Sequence, residues 1–235
     1  MPPSAAKVPP GLEVLARLHA VLAVASPAAR GLLSTATAGL LGRGWLQRPE
    51  SLVAATAHNL DLDEAAIAAE LPWLTESGLL DVQGDRVVSV ACLFSARPTG
   101  LTLTIAGRHP VDLLGPLAAL AVTAALEARG EIRVRNTAGA LPFHLTCDEM
   151  GVHAREPDTL ALFLPSLPGG ASSVAAMAAG QFFADDEALA QWQTDHGDPP
   201  GMPVPSMLFG MAAADLGAPL GRALAPVLSH LPDFD

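Results

Sequence analysis

Tyrosine is absent from this chain of 235 residues, so no phenol can serve as an acid, a base or a nucleophile. Lysine occurs once, as Lys7, and every other basic residue is an arginine. Lys7 stands in the Pro-rich stretch "MPPSAAKVPP", read as a disordered tail over residues 1–10, so lysine Schiff-base chemistry is not expected. Cysteine occurs twice, as Cys92 and Cys147, without a CxxC or Cys/His spacing suited to a metal. Both are expected to be reduced, buried thiols, and neither a metal site nor a cofactor is expected. No apolar run reaches the roughly 18–20 residues of a membrane span, and the N-terminal stretch lacks the pattern of a secretory signal. A cytoplasmic protein away from the membrane is the expectation. P-loop and GxGxxG motifs are lacking as well.

Positive charge is scarce. The formal net charge is −11, and no Lys or Arg stands between Arg48 and Arg86. That interval holds Glu50, Asp61, Asp63, Glu64, Glu70, Glu76, Asp81 and Asp85. Its pattern of short helices followed by a hairpin around "QGD" is winged-helix-like. A recognition helix must approach phosphates, however, and this one would be repelled by them. Nucleic acid is therefore not expected as a partner.

Half of the residues are hydrophobic, arranged in two regimes. Residues 11–45 carry leucines at helical spacing, divided by Pro27, with "GLLGRG" (39–44) read as a loop. Ser51 is expected to cap a helix, and Asp61 or Asp63 the next one, which runs toward Gly78 unless Pro72 ends it early. These pieces form an N-terminal part over residues 11–92. In the second part, residues 93–235, residues 93–184 alternate like strands around one apolar helix, 116–129, expected to end near Gly130. "LTLTI" puts Leu101, Leu103 and Ile105 on one face, and "PFHLTC" sets Phe143, Leu145 and Cys147 opposite His144 and Thr146. Asp185 or Asp186 caps "EALAQWQTDH", which His196 closes. The fold class is α+β, a mixed sheet with a central helix.

Taken in order, Pro98-Thr99, the strand-to-helix step at "HPVDLLGPLAALAV", the strand "HLTCDEMGV" and the segment "GQFFADDEALAQWQTDH" resemble the alkylmercury (organomercurial) lyase family over roughly residues 50–225. The resemblance implies a winged-helix-like N-terminal part joined to a mixed sheet. It also implies a chemistry in which one cysteine opens the central helix, an acid follows three residues later, and a second cysteine precedes the Phe-Phe pair. Paired thiolates suit a soft metal, and the departing carbon needs a proton donor. At the matching positions this chain has Gly115, Ala118, and Met177 or Ala178.

The resemblance thus implies a relative's site stripped of its reactive groups and unable to cleave carbon–mercury bonds. Small residues and a flexible methionine there suggest a roomier pocket for an apolar organic metabolite, as in a biosynthetic pathway. The expected lining is Ser95, Thr99, Asp112, Gly115, Ala118, Met177 and Gln181. Catalysis, if any, would be lyase-like or isomerase-like and metal-free, with Asp112, His144 and Gln181 as candidates beside Arg97 and His109. Asp112 reads first as a helix N-cap. The alternative is a non-catalytic interaction or regulatory module, and self-association stays open.

Overall fold

The computed structural model describes residues 10–44, 46–134, 142–166 and 172–228. The chain opens with two helices, α1 (Pro10–Ala23) and α2 (Pro27–Arg43). Ser26 starts α2, its Oγ accepting from Ala29 N at 3.0 Å while Pro27 takes the first helical position. The same hydroxyl donates to Glu70 Oε1 at 2.8 Å and ties α2 to the acidic segment that follows. Residues 39–43, expected as a loop, belong to α2; Gly44, left-handed at φ 75°, ends it. Buried leucines on that last turn hold it helical against its glycines.

Three short helices come next: α3 (Pro49–Leu60), α4 (Glu64–Ala68) and α5 (Leu71–Glu76). Ser51 lies inside α3 rather than at its cap, and Asp61 closes α3 in a left-handed conformation. Pro72 opens α5, so the single helix expected over 64–78 is two. A proline lacks the N–H that would continue the preceding helix.

Eight strands form an antiparallel sheet: β1 (Leu80–Gln83), β2 (Arg86–Val90), β3 (Phe94–Ser95), β4 (Leu101–Thr104), β5 (Val111–Leu113), β6 (Gly130–Val134), β7 (His144–Asp148) and β8 (Gly151–Glu156). Their spatial order is β1-β2-β3-β5-β4-β6-β7-β8. The hairpin at "QGD" is present, with Gly84 at φ 64°, and its strands continue directly into this sheet. A second sheet, β10-β9-β11, contains β9 (Ala161–Pro165), β10 (Gln181–Phe183) and β11 (Gly201–Val204).

One helix organises the interior. α6 (Pro116–Leu126) has the sequence "PLAALAVTAAL", and ten of its residues are buried. A helix apolar on every side must be buried on every side. It ends at Glu127, in the left-handed region at φ 51°, and Gly130 already belongs to β6. Against it pack α7 (Ser173–Ala178) and the C-terminal stretch of α9 (Phe209–Ala212), a π turn (Ala213–Gly217) and α10 (Ala218–Leu228). Gly217 permits this approach, since a Cβ there would stand 2.5 Å from Leu120 O. α8 (Asp186–Asp195) is capped by Asp185, whose Oδ1 accepts from Ala188 N at 2.8 Å, and His196 Nδ1 lies 2.8 Å from Trp192 O at its end. One hydrophobic cluster runs from Leu18 to Leu228 through both the helical part and the sheet. A smaller one joins Ala161, Phe163, Phe183 and Leu189, with Trp192 packed on it. Among the described residues no helix is long and apolar enough to cross a membrane.

Candidate functional site

Directly opposed residues of antiparallel strands share a face. Tracing those pairs across the eight strands gives one row: Asp81, Ser89, Ser95, Asp112, Thr102, Arg133, His144, Glu156. Every member is polar. The other face presents Val90, Phe94, Leu113, Leu103, Ile132 and Leu145, all buried. The sheet therefore sets an apolar face inward and a polar face outward.

Toward the β2–β3 end, that polar face is roofed by the end of α2. A groove of about 390 Å³ lies between them, with Leu40, Leu46 and Val87 as apolar wall and Ser95, Arg97, Asp112, Arg86 and Gln83 as its polar lining. Ser95 Oγ accepts from Arg97 N at 3.0 Å and donates to Arg97 O at 2.9 Å, which closes the turn after β3. The Arg97 guanidinium donates to Gln83 Oε1, and Gln83 Nε2 donates to Asp81 Oδ2 at 3.2 Å. Asp112 has Thr102 Oγ1 at 3.5 Å. The expected N-cap role of Asp112 is not found: it is the middle residue of β5, while Gly115, which has no side chain to cap with, is the N-cap of α6. Alternation of Val111, Asp112 and Leu113 was the signal for a strand within a segment that reads as a turn. The roles of Gln83, Arg86 and Thr102 were not visible in the sequence, because each depends on pairing between separate segments.

The start of α6 is closed. A Cβ on Gly115 would stand 2.7 Å from the carbonyl oxygens of both Met177 and Ala178, at the end of α7. Ala118 and Met177 are 0% exposed, so no water-sized space adjoins them. The three positions do come together, but the roomier pocket expected there is filled by α7 backbone and the methionine. The cause is local: Ser172 caps α7, accepting from Ala175 N at 3.1 Å, and directs its last turn onto Gly115.

The remaining expected residues lie elsewhere. Thr99 Oγ1 donates to Leu113 O at 2.6 Å and accepts from Leu101 N at 3.3 Å, pinning the loop before β4. Gln181 is exposed on β10, where it pairs in register with Phe163. His144 belongs to the same polar row as Asp112 but three strands away, about 14 Å at sheet spacing. Its Nε2 is 3.4 Å from Glu131 Oε2 without hydrogen-bond alignment. The hydrogen bond from Arg133 Nη2 to Glu131 Oε2, at 2.8 Å, holds that carboxyl below its usual range. The backbone N–H of His109 donates to Leu41 O at 2.8 Å, joining α2 to the loop before β5.

Both thiols are free and buried. Cys92 Sγ donates to Gly78 O at 2.9 Å and Cys147 Sγ to Gly130 O at 3.4 Å. Burial pushes the Cys92 thiol up to about 12. It also pushes Cys147 up, to about 11, with the nearby Asp148 charge acting in the same direction. Cys92 follows β2 and Cys147 lies on β7, five strand spacings away, on the order of 24 Å along the sheet. Among the described residues no group of three or more His, Cys, Asp or Glu is placed to hold a metal ion.

Comparison with known proteins gives two findings. The family model described as alkylmercury lyase matches residues 94–216. A crystal structure of the mercury-bound form of MerB2 is similar in fold, with a TM-score of 0.64 at 17% sequence identity, over 91% of this chain and 99% of that one. No curated protein sequence matches.

Proposed function

The chain belongs to the alkylmercury lyase family, and from that premise we propose that it does not cleave carbon–mercury bonds through paired thiolates, but holds a small organic molecule on the same fold. The observation that carries this reading is the contact at Gly115, where the backbone carbonyls of Met177 and Ala178 occupy the space a side chain would need. Mercury capture needs deprotonated sulfur. The two thiols of this chain are protonated at neutral pH and held far apart in the sheet. Ala118 supplies no proton for a departing carbon.

What supports ligand binding is the groove above Ser95 and Asp112, whose apolar wall suits the body of an organic metabolite. Asp112 is the carboxylate that could act on such a molecule as acid or base, with Arg97 beside it. His144 and Gln181 stand away from it. The test is direct: purified protein incubated with phenylmercury acetate and excess thiol releases no benzene above a protein-free control. Release that scales with protein concentration overturns the reading.

An interaction module is the second reading, and Met207, Leu208 and Met211 favour it. They are 84%, 39% and 57% exposed on consecutive turns before the π turn. Exposed methionines suit an adaptable protein contact.

A further inference from the structure

We infer that the groove above Asp112 takes a small carboxylic acid with an apolar body and a hydrogen-bond donor at its far end. This rests on the small-molecule reading above and specifies the ligand class. The first observation is charge. In a chain of net charge −11, two arginines, Arg86 and Arg97, line the same groove, and among the described residues neither is paired with a carboxylate. Arg97 instead donates to the neutral Gln83 Oε1. Gln83 is oriented for this by its own donation to Asp81, and the Arg97 backbone is held by both hydrogen bonds to Ser95 Oγ. The fork is thus pre-positioned while further N–H donors remain for a planar anion, the geometry in which arginine binds carboxylate best.

The second observation is register. Ser95 lies directly opposite Asp112, and Arg97 follows it in the turn that the Ser95 hydroxyl closes. Val88 O accepts from Ala96 N at 2.9 Å, which brings the start of β2, with Arg86, alongside Arg97. The two cationic groups therefore belong to the β2–β3 side of the groove and the Asp112 carboxylate to β5. Asp112 has one contact, the hydroxyl of Thr102 at 3.5 Å, and retains acceptor capacity. A second carboxylate beside it would be repelled, so a hydroxyl or ammonium donor is the complementary group there. Between the two sides, Leu40, Leu46 and Val87 offer only dispersion contacts and apolar burial.

Three probes separate these contributions: 4-hydroxyphenylacetate, its neutral isostere 4-hydroxyphenylacetamide, and phenylacetate, which lacks the hydroxyl. Titration calorimetry on the full chain is expected to rank the hydroxy acid first. The amide should bind at least about tenfold more weakly, the loss of a charge-assisted bidentate contact. Phenylacetate should bind about threefold to tenfold more weakly. In the double variant Arg86→Ala/Arg97→Ala the acid and the amide become equal. In Asp112→Ala the hydroxy and deoxy acids become equal. Both variants alter partly exposed side chains, and their melting curves check that they fold. The inference is overturned if the hydroxy acid does not bind, if it and the amide bind equally to the unaltered protein, if loss of the hydroxyl changes nothing, or if either variant keeps the preference it is expected to lose. Any of these leaves the small-molecule reading in place, because that reading fails only on organomercurial turnover.

Discussion

The start of α6 and the polar face of the sheet lie a few residues apart in sequence and behave oppositely. At Gly115 the chain has no side chain, and the backbone of α7 occupies the space one would need. At Asp112, three residues earlier, it has kept a charged side chain and left a groove above it. Absence of a side chain does not by itself open a cavity: protein interiors are close-packed, and a neighbouring segment fills the space. The pocket survives where polar side chains and a roofing helix end cannot interdigitate.

Removal of Met177 should have the largest effect on the closed side. Met177→Ala leaves a void against α6 and is expected to cost about 3 kcal/mol, read from urea denaturation midpoints. A neutral result would show that the site is looser than the contact at Gly115 implies. Restoring bulk there comes next. Gly115→Ala forces a Cβ onto two carbonyl oxygens and should cost about 2 kcal/mol, while Gly115→Cys should be destabilised similarly without gaining organomercurial turnover.

The thiols sharpen the same contrast through pH. Cys92 has its folded-state value pushed from 9.0 up to about 12 by burial. The folded state therefore favours the neutral thiol, and this stabilisation is complete below pH 9 and lost as pH rises from 9 toward 12. The expected loss from this thiol is about 1.4 kcal/mol per pH unit in that window, seen as a falling urea midpoint whose slope Cys92→Ala should reduce, leaving the part that Cys147 carries between pH 9 and about 11. Disulfide-exchange reagents should label neither thiol at pH 7 until the protein unfolds. On the open side, Asp112→Ala should change stability by no more than about 0.5 kcal/mol, because its side chain is only half-buried and makes one long contact. A large loss there would make Asp112 a structural residue and weaken the contrast.

Much of the architecture was legible from local pattern. Alternation of Phe143, Leu145 and Cys147 with His144 and Thr146 predicted the two faces of β7, and the buried and partly exposed positions follow it. The apolar run of α6 and the cap at Asp185 were visible for the same reason, since periodicity and capping are properties of neighbouring residues. The order of motifs led to a family assignment that the family model supports. Segments that failed did so through tertiary context. Gly39 and Gly42 sit inside α2 because buried leucines hold that turn, and Asp112 sits in a three-residue strand that exists only between β3 and β4. Arg135, the residue after β6 in sequence, lies outside the described residues.

The candidate site divides along the same line. The sequence by itself determined that no thiol or acid stands at the head of α6, that positive charge is carried by a few arginines, and that Ser95, Arg97 and Asp112 were available. These are facts of composition and order, which no folding can change. Only the tertiary structure decided that α7 closes over Gly115 and that Ser95, Arg97 and Asp112 share a groove with Arg86 and Gln83. The physical reason is that strand register and helix docking join residues distant along the chain. Such contacts are selected by burial of the whole apolar face rather than by any residue's immediate neighbours.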